Sequence, residues 1–331
     1  MLKDSEGRGA RIADYSAPLF LAWQLTNRCT SFCLHCCEES GPDKAWKKEL
    51  SKEEALSLSR QIVELGIPYV AFGGGEPLLI EHSWDVFEIL SRGGAQIKIE
   101  TNGLFIDDAA IERLKHLGIS SIQISVDGSR AEIHERVRPS GSWKKAVDSL
   151  KALAQAGLEP EFVFVPNKLN IEDAVSAYEL AAQLGARLFV TGPMMRLGRA
   201  AAAWERLSIP DELWEKTLQK IKERANVLGN PVKISAYPWD IRREAAVRLQ
   251  NPQSMVLVVP DGKVKLLNAL PFYAADLKKE KLDAAWKKAV QAWSSPIVKK
   301  FVERMQEDPA LLLHANECWD SWDELKQSDQ R

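Results

Sequence analysis

The chain has 331 residues, enough to bury a large hydrophobic core as one α/β domain or as a barrel with a small appendage. Its 44 basic and 46 acidic side chains nearly balance, so we expect neither nucleic acid nor a membrane as a partner. No apolar run reaches the roughly 20 residues of a membrane span, and the first residues are too polar for a signal peptide. We therefore expect a cytoplasmic protein.

Cysteine usage points in the same direction. The chain has five cysteines, an odd number, and four of them lie between residues 29 and 37. A secreted disulfide framework would spread its cysteines along the chain. The crowding predicts metal ligands in a reducing compartment.

Short apolar runs alternate with amphipathic segments from Leu19 to about Val190, a pattern typical of repeated βα units and a parallel sheet. Helical patterns begin near Ser51 and continue over 83–90, 107–117, 142–156 and 171–184. The predicted strands are 19–26, 69–72, 96–100, 121–126, 161–165 and 187–190.

The pattern changes after Pro193. A long charged helix is predicted over 211–228, followed by a hairpin of two strands at 256–259 and 263–267 that turns at Pro260-Asp261-Gly262. Two more helical stretches follow, over 282–293 and 296–305. We predict a boundary near residue 205, which divides the chain into an extension (1–18), a barrel (19–205) and a small carboxyl-terminal α+β domain (206–331).

The spacing Cys29-x3-Cys33-x2-Cys36 comes directly after the first predicted strand, at the sheet edge where parallel βα proteins build their sites. Thiolates suit zinc or iron–sulfur, and three of them on a cubane leave one iron without a protein ligand. Four thiols, including Cys37, could instead close a tetrahedral zinc site. Structural zinc usually draws its ligands from two separated loops, which favours iron–sulfur.

Further motifs follow the next strands. The run Gly73-Gly74-Gly75-Glu76-Pro77 leaves backbone groups unshielded, so a zwitterionic ligand could lie against it with Glu76 facing the ammonium. A tight βα turn is the alternative. Asn102 follows the third strand. Ser125 and Arg138 could hold a carboxylate or a ribose, or could form ordinary surface pairs.

Together these motifs resemble the radical S-adenosylmethionine (SAM) superfamily. Residues 27–36 look like its cluster loop, and Gly74 to Pro77 are similar to its GGEP segment, which binds the amino group of the SAM methionine. The resemblance covers about residues 19–200 and implies a partial (β/α)6 TIM barrel. It implies a 4Fe–4S cluster on Cys29, Cys33 and Cys36. The implied SAM contacts are Gly74, Gly75, Glu76, Pro77, Asn102, Ser125 and Arg138.

The resemblance also implies a reaction. An electron from the reduced cluster cleaves SAM, and the resulting 5′-deoxyadenosyl radical abstracts hydrogen from a substrate. In such chemistry the protein supplies orientation and excludes water. An electron donor of the flavodoxin or ferredoxin type is the implied partner.

The second half resembles the pyrroloquinoline quinone and mycofactocin maturases, whose SPASM or twitch domain holds auxiliary clusters. Residues 258–264 look like the hairpin of that domain, but Leu267 stands where its cysteine would fall. Because only Cys318 remains downstream, we predict one cluster. Cys318 is then either a buried small hydrophobe or a hydrogen donor to a substrate radical.

Three functions remain open. The first is an enzyme that modifies a ribosomal peptide or a small natural-product precursor. Its peptide version predicts a separate leader-binding protein, since residues 1–18 are too few for a fused leader-binding domain. The second is an epimerase, dehydratase or decarboxylase acting on a sugar or nucleoside with the same radical. The third is a non-catalytic iron–sulfur barrel protein.

Overall fold

The computed structural model describes residues 11–119 and 121–319, and its centre is one mixed sheet. The strands of this sheet are β1 (Phe20–Thr26), β2 (Tyr69–Gly74), β3 (Gln96–Thr101), β4 (Ser121–Ser125), β5 (Glu161–Phe164), β6 (Leu188–Thr191), β7 (Lys233–Ala236), β8 (Met255–Val258), β9 (Lys263–Lys265) and β10 (Ala275–Asp276). Their spatial order is β10-β9-β8-β1-β2-β3-β4-β5-β6-β7. The strands from β8 to β7 in this order pair in parallel, whereas β9 and β10 pair antiparallel.

The six strands predicted for the barrel are confirmed, each within two residues of its predicted ends. Consecutive strands from β1 to β6 are also neighbours in the sheet and pair in parallel, as in repeated βα units. The predicted α/β class and the partial TIM barrel are therefore confirmed.

Helices cover the outer face of the sheet. The first begins after Ser51, whose side chain accepts a hydrogen bond from the Glu54 backbone while Glu54 bonds back to the Ser51 backbone. The α-helices of the described residues are α1 (Lys52–Glu64), α2 (Ser83–Arg92), α3 (Asp108–His116), α4 (Ala131–His134), α5 (Ser142–Gln155), α6 (Ala174–Gln183), α7 (Gly198–Ala202), α8 (Trp204–Leu207), α9 (Asp211–Val227), α10 (Ile241–Gln250), α11 (Leu282–Ala292) and α12 (Pro296–Glu307).

Two elements between residues 230 and 250 were not predicted. Strand β7 has the sequence Lys-Ile-Ser-Ala and lies at the sheet edge, so it lacks the apolar run that marks a buried strand. Helix α10 carries several charges and buries only Ile241 and Ala245, which gives it a weak periodic pattern.

The carboxyl-terminal hairpin continues the barrel sheet. Strand β8 pairs in parallel with β1, with Leu21 opposite Val256 and Trp23 opposite Val258. The predicted hairpin itself is confirmed, since β8 and β9 pair antiparallel. The domain boundary near residue 205 stays a prediction.

The two faces of the barrel strands differ in chemistry. On β1, Leu21, Trp23 and Leu25 belong to the main hydrophobic core, whereas Gln24 lies on the opposite face. Polar residues occupy the same level on neighbouring strands. The cross-strand partners at this level are Gln24 and Gly73, Glu100 and Gln123, and Gln123 and Glu161. The inner face is thus polar at a level where many barrels pack branched apolar residues.

In the described part of the chain, no helix combines the length and the apolar character that crossing a membrane requires.

Candidate active site

The three predicted cluster ligands lie on the loop that follows β1. Cys29 and Cys33 are each 8% exposed, and Cys36 is half-buried. Local bonds shape the loop, since the backbone N–H of Ser31 donates to the Cys29 Sγ at 3.3 Å and the N–H of Cys36 donates to the Cys33 carbonyl at 3.3 Å. The thiols therefore share one compact turn at the carboxyl end of a central strand.

Burial disfavours the thiolate forms of Cys29 and Cys33. It raises the pKa of Cys29 to about 11. Burial also raises the pKa of Cys33, although the nearby Arg138 guanidinium opposes the shift. Since metals bind thiolates, cluster binding at this loop must release protons.

Within residues 11–119 and 121–319, no three His, Cys, Asp or Glu side chains converge closely enough to hold one metal ion. The Cys37 thiol instead points to the Glu38 carboxylate, 3.7 Å away. Three soft thiols on one loop are the donor type that iron–sulfur clusters use. Their assignment as cluster ligands stays a prediction.

The glycine segment after β2 packs directly on the cysteine loop. The N–H of Gly75 donates to the Thr26 carbonyl at 2.7 Å, and the N–H of Glu76 donates to the Arg28 carbonyl at 2.9 Å. A β-carbon on Gly75 would lie 2.1 Å from that Arg28 oxygen. Only glycine permits this approach, so the two motifs found in the sequence form one structural unit.

Glu76 connects the ends of two strands. Its Oε1 accepts from the Thr101 hydroxyl at 2.7 Å and its Oε2 from the Asn102 N–H at 2.9 Å, while Leu78 N–H donates to Oε1 at 3.2 Å. Burial raises the pKa of Glu76 to about 7, although these three donors oppose the shift. Pro77 then begins a buried 3-10 turn. A contact from Glu76 to an ammonium stays a prediction.

Glu100 is a candidate ligand-binding residue, next to the glycine segment, that the sequence interpretation missed. Its Oε2 lies 3.1 Å from the position that a β-carbon on Gly73 would take, and its side chain is 50% exposed. The Lys98 ammonium lies 3.4 Å from Oε1. Alternation along β3 could have placed Glu100 opposite the apolar Ile99, but it could not show that this face adjoins the glycines.

Asn102, predicted from its place after β3, contacts the cysteine loop. Its Nδ2 lies 3.3 Å from the Thr30 Oγ1, 3.4 Å from the Ser31 Oγ and 3.7 Å from the Cys29 Sγ. Its Oδ1 accepts from the Leu104 N–H at 2.9 Å. Asn102 thereby joins the end of β3 to the predicted cluster loop.

A buried ion pair lies behind the second cysteine. Asp127, two residues beyond the end of β4 at Ser125, accepts from the Arg138 Nε at 2.6 Å and lies 3.0 Å from the His35 Nε2. The Arg138 Nη1 lies 3.6 Å from the Cys33 Sγ. Burial alone would raise the pKa of Asp127, but Arg138 and His35 together hold that pKa well below its usual range.

This ion pair changes the interpretation of the fourth motif. Arg138 is bonded to Asp127 and adjoins the cysteine loop, and its predicted contact to SAM stays a prediction, as does that of Ser125. Asp127, two residues after Ser125, is a candidate site residue that the sequence interpretation missed. The sequence could not show that this charged side chain is fully buried.

The His134 ring fixes the backbone of Asp127. Its Nδ1 accepts from the Asp127 N–H at 3.0 Å, so the proton is on Nε2, which faces the Ser142 hydroxyl at 3.1 Å. That hydroxyl donates in turn to the Pro139 carbonyl. Burial lowers the pKa of His134 to about 3, and the Arg138 charge adds to the shift. The ring is therefore neutral near pH 7.

Arg199, at the start of α7, holds the cysteine loop from its other side. Its N–H donates to the Cys36 carbonyl at 3.0 Å, its Nε to the Cys33 carbonyl at 2.8 Å and its Nη2 to the Ser40 carbonyl at 2.6 Å. Its guanidinium carbon lies 3.9 Å from the centre of the Phe32 ring. A residue 166 positions away from Cys33 thus fixes the loop.

The loop has unused hydrogen-bonding capacity. The Nδ1 of His35 and the Nη1 of Arg199 are buried and have no hydrogen-bond partner among the described residues. Buried polar atoms in proteins are usually satisfied. These two nitrogens could bond to a further polar group beside the three thiols. An iron–sulfur cluster with SAM would be such a group.

Cys318 lies beside the carboxyl-terminal hairpin. The next residue, Trp319, donates its N–H to the Pro271 carbonyl at 2.8 Å. Burial raises the pKa of Cys318, and the Lys265 ammonium opposes the shift. Leu267, at the position where an auxiliary-cluster cysteine was expected, is packed in the hydrophobic core. The role of Cys318 as a hydrogen donor stays a prediction.

Known proteins share this architecture. Residues 23–181 match the radical SAM superfamily. The mycofactocin maturase MftC of Mycolicibacterium smegmatis is 32% identical over 192 residues, which cover 58% of this chain and 48% of the maturase. An AdoMet-dependent heme synthase of Methanosarcina barkeri is 31% identical over 179 residues, covering 53% of this chain and 50% of the synthase.

The solved structure of Streptococcus suis SuiB bound to its precursor peptide SuiA superimposes with a TM-score of 0.67 at 11% identity, covering 95% of this chain and 73% of SuiB. At that identity the likeness concerns the fold alone. The chain spans about half the length of the curated relatives it matches. The match to the radical SAM superfamily nevertheless runs from β1 into α6, so residues 23–181 of the barrel are a radical SAM domain.

Proposed function

We propose that this protein is a radical SAM enzyme that generates a 5′-deoxyadenosyl radical and abstracts hydrogen from a ribosomal peptide or a small natural-product precursor. The observation that supports the proposal best is the packing of the cysteine loop against Gly75 and Glu76. This packing sets three candidate thiol ligands beside unshielded strand-end backbone. Both halves of a cluster-and-SAM site would then meet at one edge of the barrel.

Cys29, Cys33 and Cys36 would hold the 4Fe–4S cluster, which supplies the electron for SAM cleavage when it is bound. The protein's own contribution is to fix the loop. Arg199 and Asn102 hold its backbone and side chains, and the Asp127–Arg138 pair places a buried cation near Cys33. The burial of Cys29 and Cys33 would keep water away from the reacting groups.

The methionine ammonium of SAM would lie at the glycine segment, and we propose Glu100 as its carboxylate partner. Both oxygens of Glu76 already accept hydrogen bonds from the protein. Glu100 is half exposed and its carboxylate stands over Gly73. Charge-assisted hydrogen bonds of this type are among the stronger ones available to a protein.

A peptide or peptide-derived substrate is supported by two comparisons. The relatives include maturases, and a structural neighbour of the same fold was solved with a precursor peptide bound. On this proposal a separate leader-binding protein would present the peptide, and a flavodoxin or ferredoxin would supply electrons. We propose the cytoplasm as the location, since it provides the reducing conditions that free thiols need.

Anaerobic reconstitution tests the enzyme. The purified protein, supplied with iron and sulfide, should bind about four irons per chain and release 5′-deoxyadenosine from SAM when dithionite is added. A protein that carries the full cluster yet forms no 5′-deoxyadenosine would contradict the proposal.

A pair of neighbouring cysteines provides the matched control for the ligand assignment. Cys33→Ala should lose the cluster and all SAM cleavage, whereas Cys37→Ala should keep both, since the Cys37 thiol points to Glu38. Loss of the cluster in Cys37→Ala alone would show that the ligand set is wrong. Mass spectrometry of peptides encoded beside the gene, incubated with the active protein, tests the substrate class.

A further inference from the structure

The cysteine loop displays an aromatic ring on the protein surface. Phe32 lies between Cys29 and Cys33 in the sequence and is 55% exposed, whereas both cysteines are buried. A single exposed apolar side chain is ordinary on a soluble surface. Phe32 is unusual because the surrounding residues hold its ring in this exposed position.

Two contacts support the ring. The Arg199 guanidinium lies against one side, 3.9 Å from the ring centre. Below the ring, Gly41 approaches so closely that a β-carbon there would lie 2.8 Å from the Phe32 Cδ2. Arg199 is also bonded to the Cys33 and Ser40 carbonyls. The ring is thus fixed to the same framework as the thiols.

Basic side chains lie near this ring and in the segment that follows it. Arg28 pairs with Gly41 in a short bridge, and the Lys44 Cγ would lie 3.2 Å from a β-carbon on Gly41. Arg28 and Lys44 are exposed, and so are Lys47 and Lys48 in the following segment. We call Arg28, Phe32, Lys44, Lys47 and Lys48 the loop face.

The local charge is opposite to that of the whole chain. Between residues 28 and 48 the exposed charged residues are four basic ones and two acidic ones, Glu39 and Asp43, in a chain whose net charge is −2. An apolar centre with a basic rim is the usual composition of a site that receives an acidic protein. Two members of this face, Arg28 and Phe32, are the sequence neighbours of Cys29 and Cys33.

We propose that the loop face is the docking site for an acidic, low-potential one-electron carrier protein. The inference rests on the proposed function, which requires a donor: the carrier is oxidised by one electron, the cluster is reduced by one, and no bond is made or broken. The carrier would place its own apolar surface on Phe32 while its carboxylates meet the lysines. Electrostatic attraction of this kind acts mainly on the rate of association.

Charge reversal of the lysines tests the docking site. The variant Lys44→Glu/Lys47→Glu/Lys48→Glu and the wild type are reconstituted, and cluster bleaching is followed by stopped flow with flavodoxin hydroquinone as the probe. At low salt we expect the variant to react at least about tenfold more slowly. Added salt should slow the wild type, because it screens the attraction, and should speed the variant, because it screens the repulsion that charge reversal creates.

Dithionite separates this proposal from the proposed function. It is a small reductant that needs no docking site, so the triple variant should bleach and cleave SAM with dithionite as the wild type does. A wild type that forms no 5′-deoxyadenosine with dithionite refutes the proposed function. Normal dithionite chemistry with an unchanged flavodoxin rate in the variant refutes the docking site alone.

A matched control uses three exposed lysines on α9, Lys216, Lys220 and Lys222. Reversal of these three lysines changes the net charge as much as the loop-face variant does, but the rate with flavodoxin should fall much less. An equal fall in rate would show an effect of net charge and overturn the docking site. If the first variant assembles no cluster, the affinity of oxidised flavodoxin for the single variant Lys44→Glu is measured. Weaker binding than to the wild type supports the proposal, and equal binding overturns it.

Discussion

The Arg138 guanidinium and the Asp127 carboxylate form a buried ion pair, with 2.6 Å between Nε and Oδ2. The pair lies directly behind the cysteine loop, because Nη1 of the same guanidinium is 3.6 Å from the Cys33 Sγ. Asp127 also accepts from the Val165 N–H at 2.8 Å. One carboxylate thus links the end of β4, the end of β5 and the candidate cluster loop.

Removal of the Asp127 charge should destabilise the fold. Asp127→Asn keeps the shape but leaves Arg138 as a buried cation without its counter-ion, which typically costs about 3–5 kcal/mol. Urea denaturation should show a loss of free energy of unfolding of this order. The double variant Asp127→Asn/Arg138→Met should recover part of it, since no charge is then left unpaired. A loss of less than about 1 kcal/mol in the single variant would show that the pair is solvated.

Replacement of Arg199 should impair cluster assembly. Arg199→Ala removes the side-chain hydrogen bonds to Cys33 and Ser40, and Arg199→Lys keeps the charge but loses the planar fork. We expect the iron content after reconstitution to fall in the order wild type, Lys, Ala. The control is Arg196→Ala, because Arg196 stacks on Trp204. Equal iron content in all four proteins would contradict a role for Arg199 in holding the loop.

A methyl group on Gly75 should separate the glycine segment from the cysteine loop. Gly75→Ala would place a β-carbon 2.1 Å from the Arg28 carbonyl oxygen, whereas Gly66→Ala meets no atom within 4 Å and is strained only by its φ of +64°. That strain is worth about 1–2 kcal/mol. Thermal unfolding should show the larger loss for Gly75→Ala, together with reduced iron binding. Equal losses in the two variants would mean that the backbone moves aside freely.

Stability should fall in weak acid because of His134. The pKa of this buried ring is about 3, against an ordinary value of 6.5. Below about pH 6.5 the histidine is therefore protonated in the unfolded chain but stays neutral in the folded protein, which favours unfolding. Between about pH 7 and pH 5 this costs up to about 2 kcal/mol. The free energy of unfolding of His134→Asn should therefore depend less steeply on pH over that interval. Parallel pH profiles would exclude His134 as the source.

Loss of the Glu100 charge should weaken binding of the methionine ammonium. We expect Glu100→Gln to bind S-adenosylhomocysteine about tenfold or more weakly, the usual range for a charged hydrogen bond. Calorimetry with the analogue that lacks the amino group provides the comparison. That analogue should bind the two proteins equally well. A similar loss of affinity for both ligands would indicate a general disturbance of the site instead.

The six barrel strands and the cysteine loop could be predicted because their signals are local. An apolar run reports the burial of its own strand, and the spacing of Cys29, Cys33 and Cys36 is a property of eight consecutive residues. Likewise, the capping of α1 by Ser51 and Glu54 depends on a four-residue pattern. Side chains whose partners are near in sequence can be interpreted without coordinates.

The remaining features depend on partners distant in sequence. The pairing of β8 with β1 joins residues more than 200 positions apart, and the bonds of Arg199 join α7 to the cysteine loop. A charged residue carries no local sign of whether it will meet water, a counter-ion or a ligand, so Glu76 could not be distinguished from Glu100. Folding places Glu76 beneath donors from β3, and it places Glu100 beside Lys98 and over Gly73.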